Sequence, residues 1–199
     1  PDFFGEQFNN VNAMRRGIMY ADVINTVSKK YAEEIMTEEF GEGLDGLLRE
    51  RRKRVYGILN GIDYETNNPA SDPLLARKFT SKNIERRAAN KIALQRRFGL
   101  PRRKDVFLAG IVSRLTEQKG FSLFPPVIES FLRATGSQLV LVGTGDTQIM
   151  TFFQDLERAF PTQVRAHLQY DEDLSHVIFA GSDAILVPSY FEPSGLTQM

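Results

Sequence analysis

The sequence predicts an α/β fold built on a doubly wound parallel sheet. Residues 106–199 alternate between strand-like and helix-like segments, and the strand-like stretches VFLAGIV and QLVLVG are continuously apolar. Strands that are apolar on both faces are typical of a parallel sheet covered by helices on both sides. The loops that follow these strands are polar or rich in glycine, as expected where such a sheet binds its ligand.

Length and composition restrict the class of protein. The 199 residues suffice for one large domain or for parts of two. Lys and Arg together number 25, as do Asp and Glu, so we expect neither nucleic acid nor an anionic membrane as a partner. Cysteine is absent, which excludes disulfides and thiolate metal sites. No apolar run approaches the ~20 residues that span a bilayer, so we expect no membrane segment.

The first third of the chain predicts a further α/β piece followed by a break. Residues 37–54 read as irregular, and the polar stretch 64–73 places a domain boundary near residues 60–68. The predicted elements are a helix over 11–20, a strand over 21–28, a helix over 29–36 and a strand over 55–60.

The rest of the chain begins with a predicted helix over Asn83–Phe98. Ser81 lies near its start, and Gly99 is expected to end it in a left-handed backbone conformation. The helix expected after Gly120 meets Pro125 and Pro126, so it starts there or kinks. The remaining predicted strands cover residues 106–113, 138–143, 164–170 and 183–189. One further helix is predicted between residues 143 and 160, and a short helix after residue 170.

The segment SRLTEQKG, residues 113–120, holds the first candidate site. Arg114 and Lys119 are two cations at the end of a buried strand. A guanidinium fork and a compact ammonium together suit the oxygens of a diphosphate. The alternative is an ordinary solvated turn.

The second candidate site is YFEPSGLT, residues 190–197. Glu192 precedes a turn, and the small residues after it are expected to begin a helix, whose free N–H groups form an anion site. Thr197 adds a hydroxyl. The alternative is a plain turn in which Ser194 caps that helix.

The weaker signals favour structural interpretations. Gly143–Asp146 is expected to be a tight turn capped by Asp146 rather than a phosphate loop. Tyr170 ends a strand where its ring could stack on a base, although a rim tyrosine fits equally well. His167 and His176 lack the spacing of metal ligands, so we predict no metal site. The arginine runs are expected to be solvated helix faces.

Four segments together resemble bacterial glycogen synthases and plastid starch synthases: 20–35, GILNGID (57–63), GIVSRLTEQKGF (110–121) and FEPSGLTQM (191–199). The resemblance implies a retaining GT-B glycosyltransferase with two Rossmann-like domains facing across a cleft. Residues 1–62 would end the acceptor-side domain and form the hinge. Residues 63–199 would open the nucleotide-sugar domain. On this view the chain is an internal fragment that is inactive by itself.

The resemblance also implies residue roles. Arg114 and Lys119 would bind the leaving diphosphate in place of a metal ion, and Glu192 would contact the donor glucose. Asn60 would lie near the glucosyl unit, and Asp63 would fix the hinge. Tyr170 would stack on the nucleobase. The expected phosphate contacts are Ser194, Gly195, Leu196 and Thr197, and the family usually has cysteine at the position of Ser194.

The implied reaction transfers glucose from ADP-glucose to the nonreducing end of an α-1,4-glucan with retention, in the cytoplasm or in a plastid. It would proceed by front-face displacement, which relies on positioning and electrostatics and needs neither cofactor nor covalent nucleophile. Two alternatives stay open: another retaining GT-B transferase that uses a UDP-sugar, and a noncatalytic nucleotide-sugar-binding relative.

Overall fold

The computed structural model describes residues 12–199. They divide into two compact units. One takes in the described residues up to Gly61 together with Pro193–Leu196, and the other comprises Ile62–Glu192 with Thr197–Met199.

The first unit holds a two-stranded parallel sheet and three short helices. Strands β1 and β2 pair with Ile24 opposite Val55. The predicted helix over 11–20 begins at Ala13, where the Asn12 side chain accepts a hydrogen bond from the Arg15 N–H at 2.9 Å; Val11 lies outside the described residues. The elements are α1 Ala13–Tyr20, β1 Ile24–Thr26, α2 Lys29–Glu34, α3 Asp45–Glu50 and β2 Val55–Gly57.

The prediction that residues 37–54 are irregular was wrong. They contain α3 and a 3₁₀ turn at Arg52–Arg54. A six-residue helix is too short to show a helical period in the sequence. It is held by one buried residue, Leu48, and by the ion pair of Asp45 with Arg49 at 2.6 Å, one helical turn apart.

The second unit confirms the predicted parallel sheet with helices on both faces. Its strand order is β5-β4-β3-β6, and every pairing is parallel. The elements are α4 Arg87–Arg97, β3 Leu108–Val112, α5 Ile128–Thr135, β4 Gln138–Val142, α6 Thr147–Ala159, β5 Val164–His167, α7 Glu172–Gly181 and β6 Ala184–Ile185.

Successive side chains of the central strands point to opposite faces of the sheet and so contribute to two separate hydrophobic cores. Ala109 and Ile111 of β3 join the cluster formed with α5 and α6, which includes Phe153. Leu108 of β3 and Val140 of β4 point to the opposite face and pack with α4 and α7. Because both faces are buried, these strands are apolar apart from Gln138 at the start of β4.

The structure changes the predicted start of α4 and defines the start of α5. The helix expected over Asn83–Phe98 opens instead as a 3₁₀ segment, Ser81–Arg86, and α4 follows it. Thr80 rather than Ser81 is the cap, because its side chain and that of Asn83 exchange hydrogen bonds with the local backbone. Gly99 is left-handed, as predicted. Helix α5 begins at Ile128, after both prolines.

The irregular stretch before α4 is tied to α4 and α7 by buried polar groups. Asp72 meets His176 of α7 at 2.8 Å, and both side chains are largely buried. The Asn90 side-chain amide bonds both the N–H and the carbonyl of Arg77, at 2.8 and 2.7 Å. The Asn90 bonds satisfy backbone groups of Arg77, which lies outside any helix or strand.

Arg87 closes the carboxyl end of α7. Its guanidinium donates to the carbonyls of Phe179, Ala180 and Ser182, at 3.2, 3.3 and 2.8 Å. These carbonyls lie where a helix runs out of internal donors and where its dipole favours a cation.

We expect Arg87→Met to lower the free energy of unfolding by about 2 kcal/mol, because it removes charged hydrogen bonds to partly buried carbonyls. Chemical denaturation measures the change. Arg86→Met is the matched control: Arg86 is an exposed neighbour on the same segment, and its loss should cost less than ~0.5 kcal/mol. Equal effects of the two substitutions would contradict the capping role.

Candidate functional site

The carboxyl ends of β3 and β6 carry the two candidate motifs. The strands are neighbours, with Ala109 opposite Ala184 and Gly110 opposite Ile185. The loop after β3 contains Arg114 and Lys119, and the segment after β6 leads to Glu192. Two motifs that lie far apart in the chain therefore leave the same edge of the sheet, where ligands bind in doubly wound folds.

A set of hydrogen bonds, which we call the loop clasp, joins residues 117–122 to residues 189–192. The Tyr190 N–H donates to the Gln118 carbonyl at 3.0 Å, and the Gln118 amide donates to the Phe191 carbonyl at 3.0 Å. The Ser122 hydroxyl meets that of Tyr190 at 3.0 Å and donates to Glu117 at 2.9 Å. The clasp fixes the register of one loop against the other.

Gly120 allows the loops to approach this closely. Its φ is 73°, a left-handed value, and a Cβ atom there would lie 2.1 Å from the Pro188 carbonyl oxygen. Real Cβ atoms do not come so near to backbone oxygen, so any other residue would force the loops apart.

Lys119 and Glu192 form an ion pair at the centre of the clasp. The Lys119 ammonium donates to Glu192 Oε2, and the Ser189 hydroxyl donates to the same oxygen at 3.1 Å. The side chains are only 16% and 17% exposed. Their attraction is therefore screened less than that of a surface pair. The structure brings together two of the three predicted catalytic residues.

Arg114, the third predicted catalytic residue, lies in the same loop with an exposed side chain. Within residues 12–199 its guanidinium has neither an ion pair nor a hydrogen bond. The next residue, Leu115, is fully buried in the core, and its N–H donates to the Thr144 carbonyl at 2.9 Å. The backbone is thus anchored while the neighbouring guanidinium is available for an anion.

The loop of residues 143–146 is the tight turn that the sequence predicts. The Asp146 side chain accepts hydrogen bonds from the N–H groups of Gln148 and Ile149, at 2.7 and 3.3 Å, and caps α6. Gly145 pairs with Leu115 in a parallel bridge. A Cβ on Gly145 would lie 2.3 Å from the Leu115 carbonyl oxygen, so this glycine serves packing beside the cation loop.

Tyr170 stands in the loop after β5 and is 80% exposed. Its hydroxyl donates to Glu172 at 3.3 Å, and the nearby carboxylate raises the pKa of Tyr170 because it opposes formation of a second negative charge. The ring is open to solvent and accessible to a planar ligand. His167, at the end of the same strand, lies 3.6 Å from Asp171.

Asn60 and Asp63 lie in the GILNGID segment. The Asn60 side chain is exposed in the first unit. The Asp63 carboxylate accepts hydrogen bonds from the Glu65 N–H at 2.8 Å, and from the Thr66 hydroxyl and N–H at 2.9 and 3.3 Å. These bonds lower the pKa of Asp63, the Glu65 bond most strongly. They support a turn-forming role for this carboxylate.

The segment after Glu192 ends in a 3₁₀ turn, Leu196–Gln198. The Ser194 hydroxyl is buried and, within residues 12–199, has no hydrogen-bond partner. It therefore does not cap the turn. None of the described residues accepts a hydrogen bond from the N–H groups of Gly195, Leu196 or Thr197 outside the turn itself. Unpaired N–H groups of this kind are available to an anion.

The part of the chain that the structure describes offers neither a metal-binding cluster nor a membrane-spanning helix. No three His, Cys, Asp or Glu side chains are grouped so that they could hold a metal ion. No helix in residues 12–199 has both the length and the apolar character needed to cross a bilayer.

Sequence reasoning missed Ser189 and the clasp residues Gln118, Ser122 and Tyr190. Three of these four bond across a gap of 68 to 73 residues, and no spacing rule links positions so far apart. Ser189 lies three residues before Glu192, but a serine at that distance is also common in plain turns. Only the strand order reveals the arrangement.

Comparison with known proteins finds relatives along the whole chain. The family described as the starch synthase catalytic domain matches residues 3–50. A glycogen synthase from Thermotoga maritima is 45% identical over 194 residues, which cover 98% of this chain and 40% of the relative. One from Ligilactobacillus salivarius is 47% identical over 189 residues, covering 95% and 40%. The chain thus spans about two fifths of the length of the curated relatives that it matches.

A solved structure is similar as well. The catalytic domain of starch synthase IV from Arabidopsis thaliana, bound to ADP and acarbose, superposes with a TM-score of 0.88 at 40% identity. The match covers 94% of this chain and 39% of the solved chain.

We expect Gly120→Ala to destabilise the protein by about 3 kcal/mol, because strain at positive φ adds to a clash with the Pro188 carbonyl. Gly136→Ala is the control: Gly136 has a φ of 64° but nothing within 4 Å of the added methyl, so only the strain of about 1 kcal/mol should appear. Urea denaturation compares the two. Equal losses would show that the close approach of the loops contributes nothing.

Proposed function

This chain is a homologue of bacterial glycogen synthases and plant starch synthases with a GT-B fold, and on that premise we propose that it takes part in glucosyl transfer from ADP-glucose to the nonreducing end of an α-1,4-glucan. The observation that carries the proposal is the Lys119–Glu192 pair in the loop that also carries Arg114, a cation without an ion pair among residues 12–199. Cations and a shielded carboxylate at the carboxyl edge of a parallel sheet suit a ligand that carries both a diphosphate and a sugar.

Arg114 and Lys119 are the proposed diphosphate ligands. As the glycosidic bond to the nucleotide breaks, negative charge develops on the leaving phosphate, and fixed cations stabilise that charge without any reorganisation. Arg114 has no partner among the described residues and is available to bind. Lys119 has three N–H donors, so it can bind phosphate while it still contacts Glu192.

Glu192 is the proposed sugar ligand. A carboxylate accepts hydrogen bonds from sugar hydroxyls and favours positive charge at the anomeric carbon as the leaving group departs. The unpaired N–H groups of Gly195, Leu196 and Thr197 follow it directly in the chain and are the proposed phosphate contacts, with the Thr197 hydroxyl and Ser194 beside them in sequence.

Tyr170 and Asn60 complete the proposed substrate contacts. The exposed Tyr170 ring would stack on the nucleobase, a contact that any base can make. Asn60 would reach the glucosyl unit. Residues 1–62 are assigned to the acceptor-side domain and hinge, and residues 63–199 to the nucleotide-sugar domain. The proposed location is the cytoplasm, or the plastid if the source is a plant or alga.

The proposed mechanism is front-face displacement. The acceptor hydroxyl attacks the anomeric carbon on the face from which the phosphate leaves, and the leaving oxygen takes the hydroxyl proton. A new glycosidic bond forms with the original configuration, and ADP departs. The protein contributes orientation and charge stabilisation, so no metal, cofactor or covalent nucleophile enters the scheme.

ADP is the proposed nucleotide because the similar starch synthase IV structure is described as bound to ADP and acarbose. Calorimetry on the 199-residue chain should show tighter binding of ADP than of UDP. With the protein encoded by the complete gene, radiolabelled glucose should reach glycogen from ADP-glucose. Transfer from UDP-glucose instead would identify a UDP-sugar enzyme. Binding without any transfer would identify a noncatalytic relative.

We expect Lys119→Met to reduce kcat of that complete protein by about 10²- to 10³-fold, because it removes a cation that acts on developing charge. The melting temperature should fall by no more than ~4 °C, since the Ser189 hydroxyl still donates to the Glu192 carboxylate. Lys82→Met, at an exposed site away from the clasp, should leave both values unchanged. A loss of activity fully matched by a loss of folded protein would assign Lys119 a structural role.

A further inference from the structure

The two oxygens of the Glu192 carboxylate have different environments. Oε2 accepts hydrogen bonds from the Lys119 ammonium and from the Ser189 hydroxyl, the latter at 3.1 Å. Oε1 receives no hydrogen bond from any residue in 12–199. A carboxylate oxygen has two lone pairs, so Oε2 is saturated while Oε1 keeps its full capacity to accept.

Ser189 holds Oε2 through the loop's own geometry. It lies three residues before Glu192, so its hydroxyl and the carboxylate belong to the same short turn. The residue before it, Pro188, has its carbonyl against Gly120, and the N–H of the residue after it bonds to Gln118. The backbone on both sides of Ser189 is therefore fixed by the clasp, and its hydroxyl needs no help from Lys119 to reach Oε2.

We propose that Ser189 is a positioning residue that fixes Glu192 Oε2 and thereby presents Oε1 to a hydroxyl of the sugar in a nucleotide sugar. This inference rests on the proposed function. It adds a residue that the motif resemblance does not include, and it assigns separate tasks to the two carboxylate oxygens.

A second holder of Oε2 matters because Lys119 has two tasks. When a diphosphate binds, the ammonium shares its donors between phosphate and carboxylate, and its hold on Glu192 weakens. The Ser189 hydroxyl has no anionic competitor of this kind. It keeps the carboxylate oriented while the sugar is bound, which is when an orientation error is most costly. No bond is made or broken by Ser189.

The first test measures Glu192 in the chain without ligand. We expect Ser189→Ala to change the ¹³C chemical shift of the Glu192 carboxyl carbon at neutral pH, because the carboxylate loses one of the two hydrogen bonds to Oε2. Ser189→Thr retains the hydroxyl and should restore the chemical shift. Ser122→Ala, which removes a clasp bond that does not touch Glu192, should leave it unchanged.

An unchanged carboxyl chemical shift in Ser189→Ala, or the same change in Ser122→Ala, would overturn the proposed hold on Oε2. The melting temperature of each variant is recorded alongside. A merely structural role for Ser189 would lower that temperature without a specific change in the Glu192 chemical shift.

The second test measures ligands by calorimetry on the same chain. We expect Ser189→Ala to weaken ADP-glucose binding by about threefold to tenfold, the worth of one hydrogen bond, and to leave ADP binding within about twofold of the parent. Ser189→Thr should recover ADP-glucose affinity. Equal weakening of both ligands, or of neither, would contradict presentation of Oε1 to the sugar.

The two tests separate this inference from the proposed function. If the parent chain binds neither ADP nor ADP-glucose, the proposed function fails and the sugar contact fails with it. The NMR comparison then decides by itself whether Ser189 controls the Glu192 carboxylate. If the parent binds both ligands while Ser189→Ala behaves like the parent in every measurement, the proposed function stands and Ser189 has no positioning role.

Discussion

The parallel pairing of β3 with β6 is the contact on which the candidate site depends. β6 comes last among the described strands but lies next to the first strand of its sheet, so its carboxyl end emerges beside the cation loop. Gly110 permits this packing, because a Cβ there would lie 2.3 Å from the Ser182 hydroxyl, at the end of α7 and just before β6. Strand order thus converts two distant motifs into one cluster of charges.

Assembling the site in the absence of ligand also has an unfavourable free-energy contribution. Lys119 and Glu192 lose much of their hydration when they pack within the clasp, and their mutual attraction offsets that loss only because the geometry is tight and further hydrogen bonds are present. The clasp supplies part of this geometry through the backbone bond between Tyr190 and Gln118, which orders no side chain. The arrangement resembles a site organised before its ligand arrives.

Much of this organisation could be predicted from the sequence. The apolar runs of β3 and β4 and the polar loops after them predicted the fold class. The four motif segments predicted a relationship to glycogen and starch synthases. Both predictions are confirmed. Helix α3 was missed because one buried leucine gives no period, and Thr80 was missed because Ser81 is an equally good cap by residue type. The bond of Ser189 to Glu192 depends on loop conformation, which no residue pattern encodes.

The ion pair at the clasp joins residues 73 positions apart, and everything between them belongs to the same sheet and its helices. Closing so long a loop costs entropy that only a nearly complete sheet can offset, since the intervening strands bring its ends together. We therefore expect the charged pair to be among the last contacts to form during folding and among the first to open under stress. A spectroscopic probe on Lys119 or Glu192 would report completion of the native state, whereas a probe in the apolar core would respond earlier.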